Sequence, residues 1–193
     1  MKAVPKLIFF WPEMPALPPP GQPVLVRVVT AQPRQTARLE LRTVLRRILA
    51  AWSDLLPEQL PLHDMLRGPV WLGQLGGQAM NISLSYAEGE GWIGLLRAGL
   101  IGVDVMPVRL IPEADAVARL YLGPAAAAAI RQSADPAMAF SVAWTELEAR
   151  IKCLSRELNE WQLAQACAAN QCAIQYRLLP NHLVVSMATT SNF

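Results

Sequence analysis

The sequence has few residues of the kinds that build a histidine or cysteine metal centre. Its 193 residues include two histidines, His63 and His182, and three cysteines, Cys153, Cys167 and Cys172. The histidines are far apart in sequence and no Cys-x-x-Cys spacing occurs, which disfavours a zinc site. An odd number of cysteines is typical of a reducing compartment, where disulfides are rare.

Charge is sparse as well, and long apolar runs are missing. Charged residues make up 17% of the chain and the net charge is only +2, which gives no argument for nucleic-acid binding, so any anion site must be local. No apolar run approaches membrane-spanning length, and Leu7–Trp11 is too short for a signal-peptide core. We therefore predict a cytoplasmic protein that binds neither nucleic acid nor membrane.

Apolar residues, by contrast, are abundant, at 53% of the chain, which is typical of a compact globular protein. Hydrophobic periodicity predicts helices and strands in both halves. The predicted helices cover residues 35–52, 113–122, 125–132 and 140–158. The predicted strands are Lys6–Trp11, Val24–Val29, Ala79–Tyr86, Gly91–Arg97, Leu100–Met106, Gln171–Leu178 and His182–Ala188. This order predicts an α+β fold with a mostly antiparallel sheet.

We expect two halves. The N-terminal half, residues 1–107, would hold an Arg-rich helix and a tight hairpin, turning at Ala98-Gly99, whose second strand carries Asp104. The C-terminal half, residues 108–193, would hold the helix with Glu148 and Lys152 and a closing hairpin.

One predicted helix combines an apolar stripe with two residues of opposite charge. Across Phe140–Leu158 apolar side chains recur at intervals of three and four, which marks one face of a helix. Asp135 and Pro136 form a typical start signal, a capping side chain before a first-turn proline. Glu148 and Lys152 lie four residues apart and share a face. They form either a surface ion pair or a carboxylate and an ammonium that face a phosphate or a metal ion together.

Two further features suggest charge-dependent chemistry. Arginines recur at every fourth position of the first helix, at Arg34, Arg38, Arg42 and Arg46. Such a row is either a solvated face or an anion site, since like charges at this spacing repel. Asp104 lies in the apolar run Ile101–Val105, where a buried carboxylate must be paired, protonated or bound to a metal; otherwise it caps a turn before Pro107.

The two charged motifs have a recognisable order and spacing. Ile101-Gly-Val-Asp104-Val, followed by Trp144-Thr-x-x-Glu148-Ala-x-x-Lys152, resembles the two signature motifs of the 4′-phosphopantetheinyl transferase superfamily, (V/I)-G-(V/I)-D and W-(T/S/C)-x-K-E-A-x-x-K. The resemblance covers residues 35–190 and includes the Arg-rich helix, the pair Gly68-Pro69 and the strand Asn81-Ile-Ser-Leu-Ser85-Tyr86. The length is similar to that of the larger, surfactin-synthetase-activating type, which serves non-ribosomal peptide and polyketide synthases.

The resemblance implies a fold and a reaction. The fold is two similar α+β halves with pseudo-twofold symmetry, with antiparallel sheets packed against long helices, in a monomer. The reaction transfers 4′-phosphopantetheine from coenzyme A to a serine of an acyl or peptidyl carrier protein. Asp104 and Glu148 would ligate Mg²⁺, Glu148 or a metal-bound water would act as base, and Lys152 would contact the pyrophosphate. Further residues implied in coenzyme A binding are Arg42, Arg46, Arg67, Ser85 and Tyr86.

The sequence also departs from the family pattern. Met106 replaces a second acid, Tyr86 a histidine and Leu147 a lysine, and between Gly68 and Pro69 a lysine is missing that Arg67 would replace. Two functions are consistent with this pattern. The first is an active transferase whose metal site is completed by water, Glu88 or Glu90. The second is a non-catalytic homologue that binds a carrier protein or another partner in a biosynthetic cluster.

Overall fold

The chain folds into two compact units. The computed structural model describes residues 8–30, 34–65, 68–71, 74–75, 77–87, 89–162 and 171–191. The first unit comprises Met1–Ile101 with Ser191–Phe193, and the second comprises Gly102–Thr190. The division expected from the sequence falls later, after Pro107, and stays a prediction.

The first unit is built on a β-sheet. In chain order its strands are β1 (Ile8–Phe10), β2 (Val24–Val29), β3 (Leu62–Met65), β4 (Gly68–Trp71), β5 (Gln74–Leu75), β6 (Gln78–Ala87) and β7 (Glu90–Arg97). Five of them form one sheet in the order β1-β2-β7-β6-β5, while β3 and β4 form a separate antiparallel pair. Within the five-stranded sheet β1 and β2 are parallel and the other neighbours antiparallel.

The Arg-rich segment forms helix α1 (Arg34–Ser53), as predicted. Its apolar residues Leu41, Leu45 and Ile48 are fully buried and pack with residues of β2 and β7 in one core cluster. Burial of this stripe stabilises the helix against the sheet, at about 1.5–3 kcal/mol for each large aliphatic side chain. A 3₁₀ turn, Pro57–Gln59, follows the helix.

The second unit combines three strands with a group of helices. Its elements are β8 (Gly99–Pro107), which begins in the first unit, then α2 (Ala114–Val117), α3 (Pro124–Gln132), α4 (Pro136–Cys153), β9 (Ala173–Leu178) and β10 (Leu183–Ser191). A π-helical turn, Ala118–Leu122, continues α2. The strands lie in the order β8-β10-β9, and β9 and β10 form the predicted antiparallel hairpin.

One predicted hairpin is wrong. β7 and β8 follow one another along the chain, yet they do not pair. Both edges of β7 are already occupied, by β2 and β6, while β8 pairs with β10. The short connection at Ala98, which adopts a positive φ of 54°, passes the chain from one sheet to another. A pattern of two apolar runs and a short connector cannot distinguish these outcomes, because both bury the same residues.

Helix α4 begins at the predicted start signal, Asp135-Pro136, four residues before the predicted apolar stripe, and it ends earlier than predicted. The Asp135 carboxylate accepts a hydrogen bond from Met138 N at 2.9 Å, so it caps the helix. The last helical residue is Cys153, and Ser155 adopts a positive φ of 51°, which ends the helix well before Leu158. The apolar spacing up to Leu158 therefore overestimated the helix, and that side chain is exposed.

The observed architecture confirms the α+β class with antiparallel sheets. The likeness between the two halves that a pseudo-twofold axis would require stays a prediction. Among the helices in the described part of the chain, none combines the length and apolar character needed to cross a membrane.

Candidate functional site

Asp104, Glu148 and Lys152 come together in the second unit. Lys152 Nζ lies 2.7 Å from Asp104 Oδ1, which joins α4 to β8 through an ion pair. The charges of Asp104 and Lys152 both act on the Glu148 carboxyl group. The fold thus brings Asp104 together with two charged residues of α4 that lie more than forty positions further along the chain.

The glycine of the first motif explains how helix and strand approach so closely. A Cβ atom added at Gly102 would lie 1.9 Å from the carbonyl oxygen of Ala149 and 2.4 Å from the amide nitrogen of Cys153. Only a residue without a side chain fits at this crossing. The backbone contact places the charged face of α4 against the strand that carries Asp104.

Lys152 is held at two points on β8. Besides its ion pair, Nζ donates a hydrogen bond to the carbonyl oxygen of Val103 at 3.0 Å. The Lys152 side chain is 31% exposed and that of Asp104 only 13%. The ammonium therefore neutralises a mostly buried carboxylate and still reaches the surface of the unit.

Glu148 has a raised pKa. Burial is the main cause, the negative charge of Asp104 adds to it, and the positive charge of Lys152 opposes both. A carboxyl group in such an environment takes up a proton more readily than an exposed one, and its carboxylate form is a stronger base. This property suits a group that transfers protons.

A buried hydroxyl pair fixes the middle of α4. Thr145 Oγ1 lies 2.7 Å from Ser186 Oγ of β10, and both residues are fully buried. Thr145 also bonds to the carbonyl oxygen of Ser141, one turn earlier in the helix. Sequence reasoning noted Thr145 only as a motif residue and missed Ser186, a single polar residue within the apolar strand Leu183–Ala188.

The donor set fits Mg²⁺ in part. Asp104 and Glu148 supply hard carboxylate oxygens, which Mg²⁺ prefers. Among the described residues no group of three or more histidine, cysteine or acidic side chains is placed to hold a metal ion. Mg²⁺ is commonly bound through one or two carboxylates together with phosphate oxygens and water. The two carboxylates therefore fit the ion when a diphosphate supplies the remaining ligands.

Met106 and Leu147 stand at positions where the family has charged residues, and each has a different environment. Met106 packs against the buried cluster of Ala118, Ala127, Ile130 and Phe140. Leu147 lines a cavity of about 630 Å³, together with Ile151 and Leu154. Leu147 and Ile151 lie on a different face of α4 from Glu148 and Lys152, because a helix turns by about 100° per residue. Their apolar stripe thus borders a cavity.

The other predicted site residues belong to the first unit. On α1, Arg46 donates a hydrogen bond to the carbonyl oxygen of Pro57 at 3.2 Å, and Arg42 is half-buried. On β6, Ser85 is buried, while the half-buried ring of Tyr86 lies 5.8 Å from the guanidinium carbon of Arg38. Two arginines of the row, Arg38 and Arg46, therefore make contacts within the first unit. Arg67 lies outside the described residues.

Of the two acids expected to complete a metal site, one is engaged elsewhere. Glu90 is buried and forms an ion pair with Arg27, and it also accepts a hydrogen bond from Trp92 Nε1 at 3.3 Å. The carboxylate thus has a structural role within the first unit. Glu88 lies outside the described residues.

The second unit is similar to a known protein family. Residues 100–187 match the family model of the 4′-phosphopantetheinyl transferase superfamily. This region therefore resembles a domain of that superfamily. The matched region contains Asp104, Glu148 and Lys152. No curated protein matches the chain. Its assignment to the surfactin-synthetase-activating type stays a prediction.

Proposed function

We propose that the protein transfers 4′-phosphopantetheine from coenzyme A to a serine of an acyl or peptidyl carrier protein, in the presence of Mg²⁺. The observation that carries the proposal is the meeting of Asp104, Glu148 and Lys152 within the matched region, with Lys152 Nζ 2.7 Å from Asp104. Transfer of a phosphoryl-linked group depends on positioning and on neutralising phosphate charge. A cation beside two carboxylates supplies groups for both tasks.

The three side chains would divide the work. Glu148, with its raised pKa, would accept the proton of the carrier serine. Lys152, partly exposed and held by Val103 O and Asp104, would attract the diphosphate of coenzyme A. Asp104 and Glu148 would hold Mg²⁺, which when bound would supply positive charge to the diphosphate. Arg42, Arg46, Ser85 and Tyr86 remain candidates for contacts with coenzyme A.

A mass measurement tests the transfer. The protein is incubated with coenzyme A, Mg²⁺ and several apo carrier proteins, and each carrier is then weighed by mass spectrometry. We expect one carrier to gain the mass of a phosphopantetheine group. Glu148→Gln should lower the rate by at least about 100-fold, the range of general base catalysis. Glu146→Gln, on the opposite side of the same helix, should retain the rate. Unmodified carriers throughout, together with no binding of coenzyme A by calorimetry, would contradict the proposal.

The packing of Met106 supports a second candidate, a non-catalytic homologue that binds a carrier protein or another partner of a biosynthetic cluster. Its thioether lies against an apolar cluster, where the family has another acid. This candidate predicts that a carrier binds in a calorimetric titration while its mass stays unchanged. Mass gain by any carrier would eliminate it.

A further inference from the structure

Two thiols meet at the end of α4. Cys153 is the last residue of that helix, and Cys172 directly precedes β9. Cys172 Sγ donates a hydrogen bond to Cys153 Sγ at 3.7 Å, and neither cysteine is in a disulfide. The pair lies on elements that are 19 residues apart in sequence. Proximity of two thiols from different elements is the arrangement from which a disulfide can form.

The surroundings of the two sulfur atoms differ. Cys153 is 1% exposed and lies in a small apolar cluster with Ala149 and Ala188, whereas Cys172 is only half-buried at the edge of this cluster. A protein disulfide has an S–S length of about 2.05 Å, so the sulfurs must approach by about 1.6 Å. A small oxidant can reach Cys172 from solvent.

We propose that Cys153 and Cys172 form an oxidation site, at which a peroxide converts the two thiols into a reversible disulfide. In the first step Cys172 sulfur attacks one oxygen of hydrogen peroxide, the O–O bond breaks, a sulfenic acid forms, and the departing hydroxide leaves as water with the Cys172 proton. In the second step Cys153 sulfur attacks the sulfenic sulfur, the S–S bond forms, and the hydroxyl leaves as water with the Cys153 proton. The two sulfurs lose two electrons in total, and the peroxide gains them.

The environment sets the order of these steps. Burial, together with the neighbouring Cys172, raises the pKa of the Cys153 thiol to about 12. The Cys153 thiolate is therefore scarce near neutral pH, and a peroxide reacts first at the more accessible Cys172. Cys153 then acts as the resolving thiol, because it is held in contact and encounters the sulfenic acid at high effective concentration.

The disulfide would tie the helix that carries Glu148 and Lys152 to β9. Cys153 follows Lys152 directly in the chain, and its amide nitrogen lies at the close crossing with Gly102. Oxidation would link the end of α4 covalently to the start of β9. The proposal concerns thiol chemistry alone and does not depend on the transferase activity.

The reduced full-length protein tests the proposal. It is treated with hydrogen peroxide, alkylated and digested, and the peptides are mapped by mass spectrometry. We expect a peptide that links Cys153 to Cys172, a loss of two free thiols, and full recovery of both by dithiothreitol. The third cysteine provides a matched control: Cys167→Ser should give the same linked peptide, whereas Cys172→Ser should give none.

Contrary results are equally specific. A map that links Cys167 to either partner, or that shows only sulfinic acid at Cys172 without a linked peptide, would overturn the proposal. If Cys172→Ser is misfolded by circular dichroism, Cys153→Ala replaces it as the variant without a disulfide. Wild-type protein that keeps all its thiols under both peroxide and diamide would overturn the proposal as well.

Discussion

Lys152, which the sequence predicted to contact a pyrophosphate, also forms contacts within the protein. Its ammonium bonds to Asp104 and to the carbonyl oxygen of Val103, so it joins α4 to β8. An ammonium held at two points is pre-organised, and an anion that binds it does not need to order a long flexible side chain. The same contacts make the residue important for stability.

Lys152→Met should destabilise the protein. The substitution removes a hydrogen bond and an ion pair from a mostly buried carboxylate, so we expect a loss of about 1–3 kcal/mol in urea unfolding. Arg150→Met is a matched control, because the side chain of Arg150 is also 31% exposed on α4. Its ion pair with Glu146 is long, at 3.9 Å, compared with 2.7 Å for Lys152 and Asp104. Its effect should stay below about 0.5 kcal/mol. Equal losses in the two variants would refute the internal role of Lys152.

Glu148 makes stability depend on pH. Because its pKa is raised above the ordinary value of 4.5, the native state binds the proton more tightly than the unfolded state. The favourable contribution of Glu148 to the free energy of unfolding is thus fully present below pH 4.5. It is lost as the pH rises through the pKa of Glu148 in the folded protein.

Glu148→Gln should remove this dependence. The variant should match the wild type near about pH 4 and become the more stable of the two towards about pH 7. Urea unfolding across this range measures the difference, and Glu146→Gln controls for the loss of a negative charge from the same helix. A difference that grows in the opposite direction would contradict the raised pKa.

At the scale of elements, the crossing of α4 and β8 depends on Gly102. Gly102→Ala places a methyl group against backbone atoms of Ala149 and Cys153, which cannot move without shifting the helix. We expect a loss of about 3 kcal/mol or more in thermal or urea unfolding. Gly91→Ala is the comparison, since the three atoms nearest to its methyl group all belong to the side chain of Leu41 rather than to the backbone, and it should have a smaller effect. A neutral Gly102→Ala would show that the two elements lie farther apart.

The hydroxyl pair Thr145–Ser186 joins the same helix to β10. Thr145→Val keeps the side-chain shape and removes the bond to a fully buried partner, so we expect a loss of about 1–2 kcal/mol in urea unfolding. Ser186→Ala should destabilise the Thr145→Val variant less than it destabilises the wild type, because in that variant the hydrogen-bond partner is already missing. Thr43→Val controls for the substitution, because Thr43 is exposed and bonds only within α1. Strict additivity of the two buried substitutions would exclude the coupling.

At the scale of the whole molecule, the proposed activity requires a metal ion that the described residues can ligate only in part. Asp104 and Glu148 are the candidate ligands, no group of three or more potential ligands occurs among the described residues, and a lysine neutralises Asp104. Mg²⁺ titrated into the protein alone should therefore give no saturable heat, whereas the same titration with coenzyme A present should. Pantetheine, which lacks the phosphates, is the control ligand. Saturable Mg²⁺ binding without any phosphate would contradict this prediction.

Periodic patterns carried most of the fold prediction. The strand Val24–Val29 was predicted with its observed bounds, and the observed helix α1 extends the prediction by one residue at each end, because alternation and an apolar stripe are local properties of the chain. The hairpin at Ala98 and the end of α4 were wrong. Both depend on which strand edges and helix faces are already occupied, and a local pattern does not contain that information.

The candidate site shows the same division. The sequence by itself determined which residues carry charge in the two motifs, and it determined that α4 presents Glu148 and Lys152 on one face, since a spacing of four is fixed by helix geometry. The family match covers residues 100–187, and both motifs lie within that range. Only the tertiary structure decided that Lys152 bonds to Asp104 and Val103 O, that Met106 is packed among apolar side chains, and that Cys153 meets Cys172. The physical reason is that these contacts arise when separate elements pack at a particular distance, and that distance depends on the whole set of side chains between them.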